Sequence, residues 1–167
     1  GGLLDVALAP DFVDTREIYF SFAEPRDGGV NGTSLARVKL ELSDAGGRLV
    51  DAKVIFRQQP SYASNHHFGS RIVFARDGTL YLTVGERFAL RDQAQNPTNH
   101  LGKIMRLARD GAPAPDNPKL PGWNEDLWSI GHRNIQAAAI HPSTGELWVV
   151  DHGARGGDEI NIPRKGR

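Results

Sequence analysis

Residues 72–85, Ile-Val-Phe-Ala-Arg-Asp-Gly-Thr-Leu-Tyr-Leu-Thr-Val-Gly, decide the fold, because they place two short β-rich runs on either side of one tight turn. Gly78 stands where such a hairpin turn requires a positive φ, which allows the two apolar strands to pair. The same strand, turn and strand pattern occurs at residues 6–22 and 138–151, so the units recur about sixty to seventy residues apart. Helical periodicity is nearly absent, and the chain is therefore predicted to be all-β.

Further strands are predicted between these hairpins, at residues 35–42, 53–57 and 103–107. They would complete the four-stranded blades of a β-propeller, whose connecting loops cluster at one end of the blades. A β-sandwich produces the same short strands and turns and is the alternative, although the internal repeat favours the propeller. Two long segments, 88–100 and 110–124, have no regular pattern and are predicted to be insertion loops.

The composition excludes several classes of function. The 167 residues include 20 basic and 20 acidic side chains, so no net basic field is available for nonspecific binding of nucleic acid. The chain has no cysteine, which excludes disulfides, thiolate metal ligands and a cysteine nucleophile. No window approaches the length of a membrane span. Both ends look cut, so residues 1–167 are expected to form a single partial propeller domain, truncated at both ends.

Two polar clusters precede predicted inner strands. In residues 65–71, a histidine such as His67 could act as a general base, because imidazole ordinarily titrates near neutral pH. Two turn histidines facing water are the alternative. In residues 131–134, Arg133 and Asn134 offer a fixed cation and an amide to carbonyl or carboxylate oxygens. A surface turn stabilised by its asparagine explains this pair equally well.

A third cluster, residues 151–161, combines three glycines with several acidic side chains. Such a loop can direct carbonyl and carboxylate oxygens at one hard cation, and calcium prefers ligands of this kind. A charged connection without any ligand is the alternative. The four histidines at positions 66, 67, 132 and 152 also suggest zinc, but no pair has the spacing of a zinc-protease helix.

Taken in order, these motifs resemble the soluble glucose and aldose sugar dehydrogenases that depend on pyrroloquinoline quinone, and are more similar to the aldose sugar branch. The matching stretches span nearly the whole chain and lie at residues 2–6, 9–12, 67–71, 102–107, 116–118, 131–134 and 152–161. The resemblance implies a six-bladed propeller, of which this chain would hold roughly two and a half blades. It also implies calcium, an aldose substrate oxidised at its anomeric carbon to a lactone, an external electron acceptor, and a periplasmic or secreted location.

The resemblance assigns roles around the quinone to five residues. His67 corresponds to the general base that takes the hydroxyl proton of the sugar, and Arg133 acts beside it. Arg133 and Asn134 correspond to residues that contact the quinone oxygens, while His152 and Asp158 correspond to residues that line the cofactor pocket.

The resemblance also assigns metal ligands. Gly153 and Ala154 correspond to the pair whose main-chain carbonyls bind the catalytic calcium, and Glu159 corresponds to a ligand of a second, structural calcium. Ala154 stands where the glucose dehydrogenases have proline, a change of little consequence for a main-chain ligand. Other cofactor-clamping residues of the family are expected outside residues 1–167, so this segment alone is expected to form an incomplete site.

Two other functions are open on the sequence. A calcium-dependent propeller hydrolase, such as a lactonase, would use acids, asparagine and histidine from several blades around a hard ion. A non-catalytic propeller module would bind a partner through its loops. The dehydrogenase interpretation predicts that His67, Arg133 and the carbonyls of residues 153 and 154 converge at one end of the blades.

Overall fold

The structure is a computed structural model that describes residues 2–167, and β-strands dominate it. The first sheet contains β1 (Leu3–Leu8), β2 (Glu17–Arg26), β3 (Val30–Ser43) and β4 (Gly46–Arg57). The second contains β5 (Gly69–Phe74), β6 (Leu80–Val84), β7 (Lys103–Leu107) and β8 (Leu127–Ile130). The third contains β9 (Ile135–Ile140), β10 (Leu147–Asp151) and β11 (Glu159–Asn161). Helical structure in this part of the chain is limited to α1 (Phe12–Thr15) and 3-10 turns at Asp27–Gly29 and Arg91–Gln95, and no helix there could span a membrane.

Within each sheet, every strand pairs antiparallel with the next strand of the chain. The first strands of the three sheets stand side by side, because β5 contacts both β1 and β9. Successive up-and-down sheets arranged in this way are consecutive blades of a propeller, and two facing sheets of a sandwich would not place three first strands next to one another. The predicted all-β partial propeller is confirmed, with two four-stranded blades and three strands of a third.

The predicted repeat units are the hairpins β1–β2, β5–β6 and β9–β10. Gly78 has φ 83° in the second hairpin turn, as that turn requires. The predicted outer strands correspond to β3, β4 and β7, of which β3 and β4 are longer than expected. Strand β8 was not predicted and completes the second blade. The two predicted insertion loops contain no strand, although the first carries the 3-10 turn.

The core lies in the seams between blades. Residues of β6 alternate between two apolar clusters, as side chains on a strand must. Leu80, Leu82 and Val84 belong to the cluster shared with the first blade, whereas Tyr81 belongs to the cluster shared with the third. The second blade is thereby buried on both faces, which fixes the ends of its strands relative to its neighbours.

The outward faces of the first and third blades carry exposed apolar side chains. Leu3 on β1 is 80% exposed, and Ile160 on β11 is 71% exposed. In a closed propeller, neighbouring blades cover faces of this kind. The truncation of the domain stays a prediction that these faces support.

Candidate active site

His67 lies two residues before β5, and Glu86, two residues after β6, holds its ring. The His67 Nδ1 and Glu86 Oε2 atoms are 2.6 Å apart, and the Phe88 N–H donates to the same oxygen at 2.5 Å. The two side chains are only 13% and 3% exposed. Because a carboxylate only accepts hydrogen bonds, Glu86 favours the neutral tautomer of His67 that carries its proton on Nδ1, and in that tautomer Nε2 has the lone pair that a base needs.

The backbone around this pair is closely packed and strained. A Cβ atom on Gly85 would lie 2.2 Å from the His67 carbonyl oxygen, so only glycine allows the two loops to approach. His67, Arg87 and Phe88 have φ values of 50°, 64° and 65°. Non-glycine residues rarely adopt this left-handed conformation, and it concentrates at functional sites. Sequence reasoning missed Glu86, whose only local signal was a Gly-Glu pair directly after a buried strand.

Arg133 and Asn134 precede β9 and are held by the carboxylate of Asp151 at the end of β10. The N–H groups of Arg133 and Asn134 donate to its two oxygens at 2.9 and 2.6 Å. Burial raises the pKa of Asp151, but the neighbouring His132 ring and the hydrogen bonds from these two N–H groups outweigh that effect and lower the pKa below its usual value. The Asn134 side-chain oxygen accepts the Gly69 N–H at 3.2 Å, which ties this segment to the loop of His67.

Ser129, His132 and Asp151 form a buried array whose outline is that of a nucleophilic triad. His132 Nε2 lies 2.9 Å from the Ser129 hydroxyl, and His132 Nδ1 lies 3.7 Å from Asp151 Oδ2. The Ser129 hydroxyl, however, donates to the Arg167 carbonyl at 2.7 Å and is buried. Its proton already has an acceptor and a substrate has no access to it, so the array supports the segment of Arg133 rather than forming a nucleophile.

The glycine-rich loop after β10 lies next to Arg133. The Arg133 Nη1 donates to the His152 carbonyl at 3.0 Å, and the His152 N–H donates to the Asn134 carbonyl at 3.4 Å. Within the loop, the Gly153 N–H donates to Asp158 Oδ1 at 2.8 Å. The structure therefore brings the predicted residues of this loop to the same end of the blades as His67, while their chemical roles stay predictions.

The loop offers oxygen ligands to a hard cation. The carbonyl oxygens of Gly153 and Ala154 accept no hydrogen bond from residues 2–167, and free main-chain oxygens suit calcium. Glu159 is different: it lies on β11 opposite Asp151, and its carboxylate accepts a hydrogen bond from Asn161 at 2.9 Å. The described part of the chain contains no group of three or more His, Cys, Asp or Glu side chains arranged to hold a metal ion.

A cavity of about 620 Å³ lies between these loops. Its lining residues are Glu86, Phe88, Arg91, Ala94, Gln95, Gly131, His132, Arg133, Ala154 and Arg155. Glu86 belongs to its wall and contacts the His67 ring. The lining also includes three arginines, Arg91, Arg133 and Arg155. In residues 2–167 none of their guanidinium groups has a carboxylate within ion-pair distance. Such a cavity favours an anionic ligand. A second cleft, of about 560 Å³, lies in the proline-rich loop at residues 113–125 and contains none of the predicted site residues.

A family model described as Glucose / Sorbosone dehydrogenase matches residues 1–167. The chain belongs to this family. Aldose sugar dehydrogenase YliI of Escherichia coli (strain K12) is 43% identical over 169 residues, which cover 100% of the chain and 45% of that protein. A solved glucose dehydrogenase has a TM-score of 0.93 at 46% identity and covers 100% of this chain and 48% of its own. The PQQ-bound form of an aldose sugar dehydrogenase from Streptomyces coelicolor has a TM-score of 0.84 at 31% identity, over 99% of this chain and 46% of that one.

The family resemblance that the motifs predicted is thus confirmed, together with the partial propeller fold. The chain spans about half the length of the relatives it matches. The activity of the whole protein is therefore a matter of proposal.

In this member of the glucose/sorbosone dehydrogenase family, a buried lysine that sequence reasoning overlooked supports one wall of the cavity. The Lys103 ammonium donates to the carbonyls of Gln93, Ala94 and Leu101 at 2.9, 2.8 and 2.5 Å. The Gly131 N–H donates to the same Ala94 carbonyl at 2.8 Å. This carbonyl therefore links the insertion loop at residues 88–100 to residues 131–134, which include Arg133. Burial lowers the pKa of Lys103 to about 7, whereas the three carbonyl acceptors favour the ammonium form.

Proposed function

We propose that the whole protein oxidises the anomeric carbon of an aldose sugar to a lactone, with pyrroloquinoline quinone as hydride acceptor and calcium as Lewis acid. The observation that carries this proposal is that Glu86, which holds the His67 ring, lines the same cavity as Arg133 and Ala154. The names of the relatives, an aldose sugar dehydrogenase and a PQQ-bound form, support the substrate class and the cofactor. An external acceptor removes the electrons, in the periplasm or after secretion.

His67 provides the base in this proposal. Its Nε2 accepts the proton of the anomeric hydroxyl, which makes the carbon a competent hydride donor. Glu86 keeps the ring in the required tautomer and stabilises the imidazolium that forms. The low exposure of both side chains keeps water from competing for these hydrogen bonds.

The residues fit a quinone that carries carboxylates. Arg133 and Asn134 would contact its oxygens, and His152 and Asp158 would line its pocket. The unpaired guanidiniums around the cavity suit its negative charge. When bound, the quinone takes up the hydride, a step that calcium and a fixed cation favour by stabilising negative charge on its oxygen.

The loop after β10 fits the catalytic calcium. The carbonyl oxygens of Gly153 and Ala154, free of hydrogen bonds from residues 2–167, would hold it. Glu159 is proposed as a ligand of a second, structural calcium, and its side chain on β11 is exposed.

The test uses the full-length protein reconstituted with pyrroloquinoline quinone and calcium, and follows dye reduction by glucose and other aldoses. We expect reduction that requires both additions, that chelation removes and calcium restores, and that His67→Ala lowers by about 10²- to 10⁴-fold. His141→Ala, in the β9–β10 turn, is the matched control and should keep the parental rate. Absence of quinone-dependent reduction with every sugar would contradict the proposal and favour a hydrolase or a binding module.

A further inference from the structure

Arg87 is a buried cation for which the proposed chemistry gives no role. Its side chain is fully buried, and no carboxylate in residues 2–167 lies within ion-pair distance of it. Burial lowers the pKa of Arg87 to about 10, so the guanidinium is still charged at neutral pH. A buried charge without a counter-ion is costly, and its hydrogen bonds must compensate for the lost hydration.

These hydrogen bonds go to the segment that carries His67. The Arg87 Nε donates to the His66 carbonyl at 3.0 Å, and Nη2 donates to the Ser64 carbonyl at 2.5 Å. The guanidinium also stacks 4.0 Å from the centre of the Phe68 ring. The contacts therefore lie on both sides of His67 along the chain and leave its ring free for Glu86.

The opposite side of the guanidinium is anchored to the first blade. Its Nη2 donates to Asn31 Oδ1 at 2.6 Å, and Nη1 lies 3.4 Å from the Asn31 carbonyl oxygen. Asn31 is the second residue of β3 and also pairs with Tyr62 through backbone hydrogen bonds. Arg87 thus joins a regular strand of one blade to the irregular loop of the next.

We propose that Arg87 is a positioning residue for His67: it fixes residues 64–68 against the first blade in the strained conformation that presents the imidazole to Glu86. This inference rests on the proposed function, in which His67 is the base. Glu86 and Arg87 then divide the task, since one holds the ring and the other holds the backbone. Lysine cannot replace Arg87, because an ammonium has no planar face for Phe68 and cannot direct donors along the same fixed directions.

The kinetic test compares Arg87→Lys and Arg87→Met with the parent in the full-length protein loaded with quinone and calcium. We expect the single-turnover rate of quinone reduction by sugar to fall roughly 100-fold, while KM and quinone affinity stay within about threefold. Arg109→Met is the matched control. Arg109 also joins the first two blades, through Asp11 and Glu17. It lies beyond Leu107, the last residue of β7, whereas Lys103 and the cavity wall that it supports lie at the first residue of that strand. This variant should lower Tm and leave the rate unchanged.

A second measurement does not depend on activity. In ¹⁵N-histidine NMR spectra of the same protein, the hydrogen-bonded His67 Nδ1–H resonance, assigned by its loss in His67→Ala, should be present in the parent and absent in folded Arg87→Lys. If the parent oxidises no sugar, the proposed function fails while this resonance still decides the role of Arg87. If neither Arg87 variant folds, Phe68→Leu should give the same spectral loss and a roughly tenfold slower rate. The inference is overturned if folded Arg87→Lys keeps both the resonance and the parental rate. If the Arg87 variants do not fold, the same result for Phe68→Leu overturns it.

Discussion

Glu86 offers the sharpest test of the candidate site, because one of its oxygens accepts both the His67 ring N–H and the Phe88 N–H. A hydrogen bond to a charged group is worth about 1.5–3 kcal/mol, and a neutral one about 0.5–1.5 kcal/mol. Glu86→Gln retains an acceptor of the same shape and loses about 1–1.5 kcal/mol, whereas Glu86→Ala loses up to about 3 kcal/mol. Since about 1.36 kcal/mol corresponds to a tenfold change in rate, kcat/KM should fall roughly tenfold in the first variant and roughly 100-fold in the second.

The assay is steady-state dye reduction by the sugar that the parent oxidises best, with each variant saturated with quinone and calcium. Glu146→Gln, which changes an exposed carboxylate in the β9–β10 turn, is the matched control and should retain the parental kcat/KM. The reasoning is refuted if both Glu86 variants, folded and fully loaded, are as active as the parent while His67→Ala is inactive. In that case His67 would be a base that needs no carboxylate.

Three further changes test the supporting structure. Lys103→Met should lower the free energy of unfolding, measured by urea titration, by about 1–3 kcal/mol, because three buried carbonyls lose their hydrogen-bond donor. The control Lys53→Met, at an exposed position, should stay within about 0.5 kcal/mol of the parent. Equal stability of the two variants would contradict a supporting role for Lys103. Gly85→Ala should lower the free energy of unfolding by about 1–3 kcal/mol and slow sugar oxidation, because a Cβ atom at this position meets the His67 carbonyl oxygen. A variant with the parental Tm and activity would disprove the close contact. The pKa of Asp151 is lowered on folding from its usual 3.8, so its carboxylate stabilises the fold above that pH, and the stabilisation disappears as the pH falls through the lower folded value. Asp151→Asn should therefore have a lower free energy of unfolding than the parent at pH 7, and the difference should shrink as the pH is lowered. Urea titrations that give a difference independent of pH would contradict this prediction.

Strands and turns were largely predictable from the sequence, because apolar alternation and turn glycines act over a few neighbouring residues. The hairpin centred on Gly78 is the clearest case, since its φ of 83° is dictated by the turn itself. Strand β8 was missed because its four residues, Leu127–Ile130, follow a proline-rich loop and are too short to show a period.

The candidate site was predictable only in part. The motifs identified His67, Arg133 and the glycine-rich loop through the family resemblance. The partners of these residues were not identifiable, because Glu86 is 19 residues away from His67 along the chain and reaches it only through the approach that Gly85 allows. The role of Arg87 was hidden for a similar reason, since its acceptors on the loop of His67 are main-chain carbonyls that any sequence provides.

The alternation of side chains along β6 has a consequence for how this propeller can vary. Because Leu82 belongs to the apolar cluster shared with the preceding blade and Tyr81 to the cluster shared with the following one, substitutions at these adjacent positions change different junctions. Each junction between blades can therefore be remodelled by evolution or by design without rebuilding the other, and paired replacements across one junction should combine additively with those across the next.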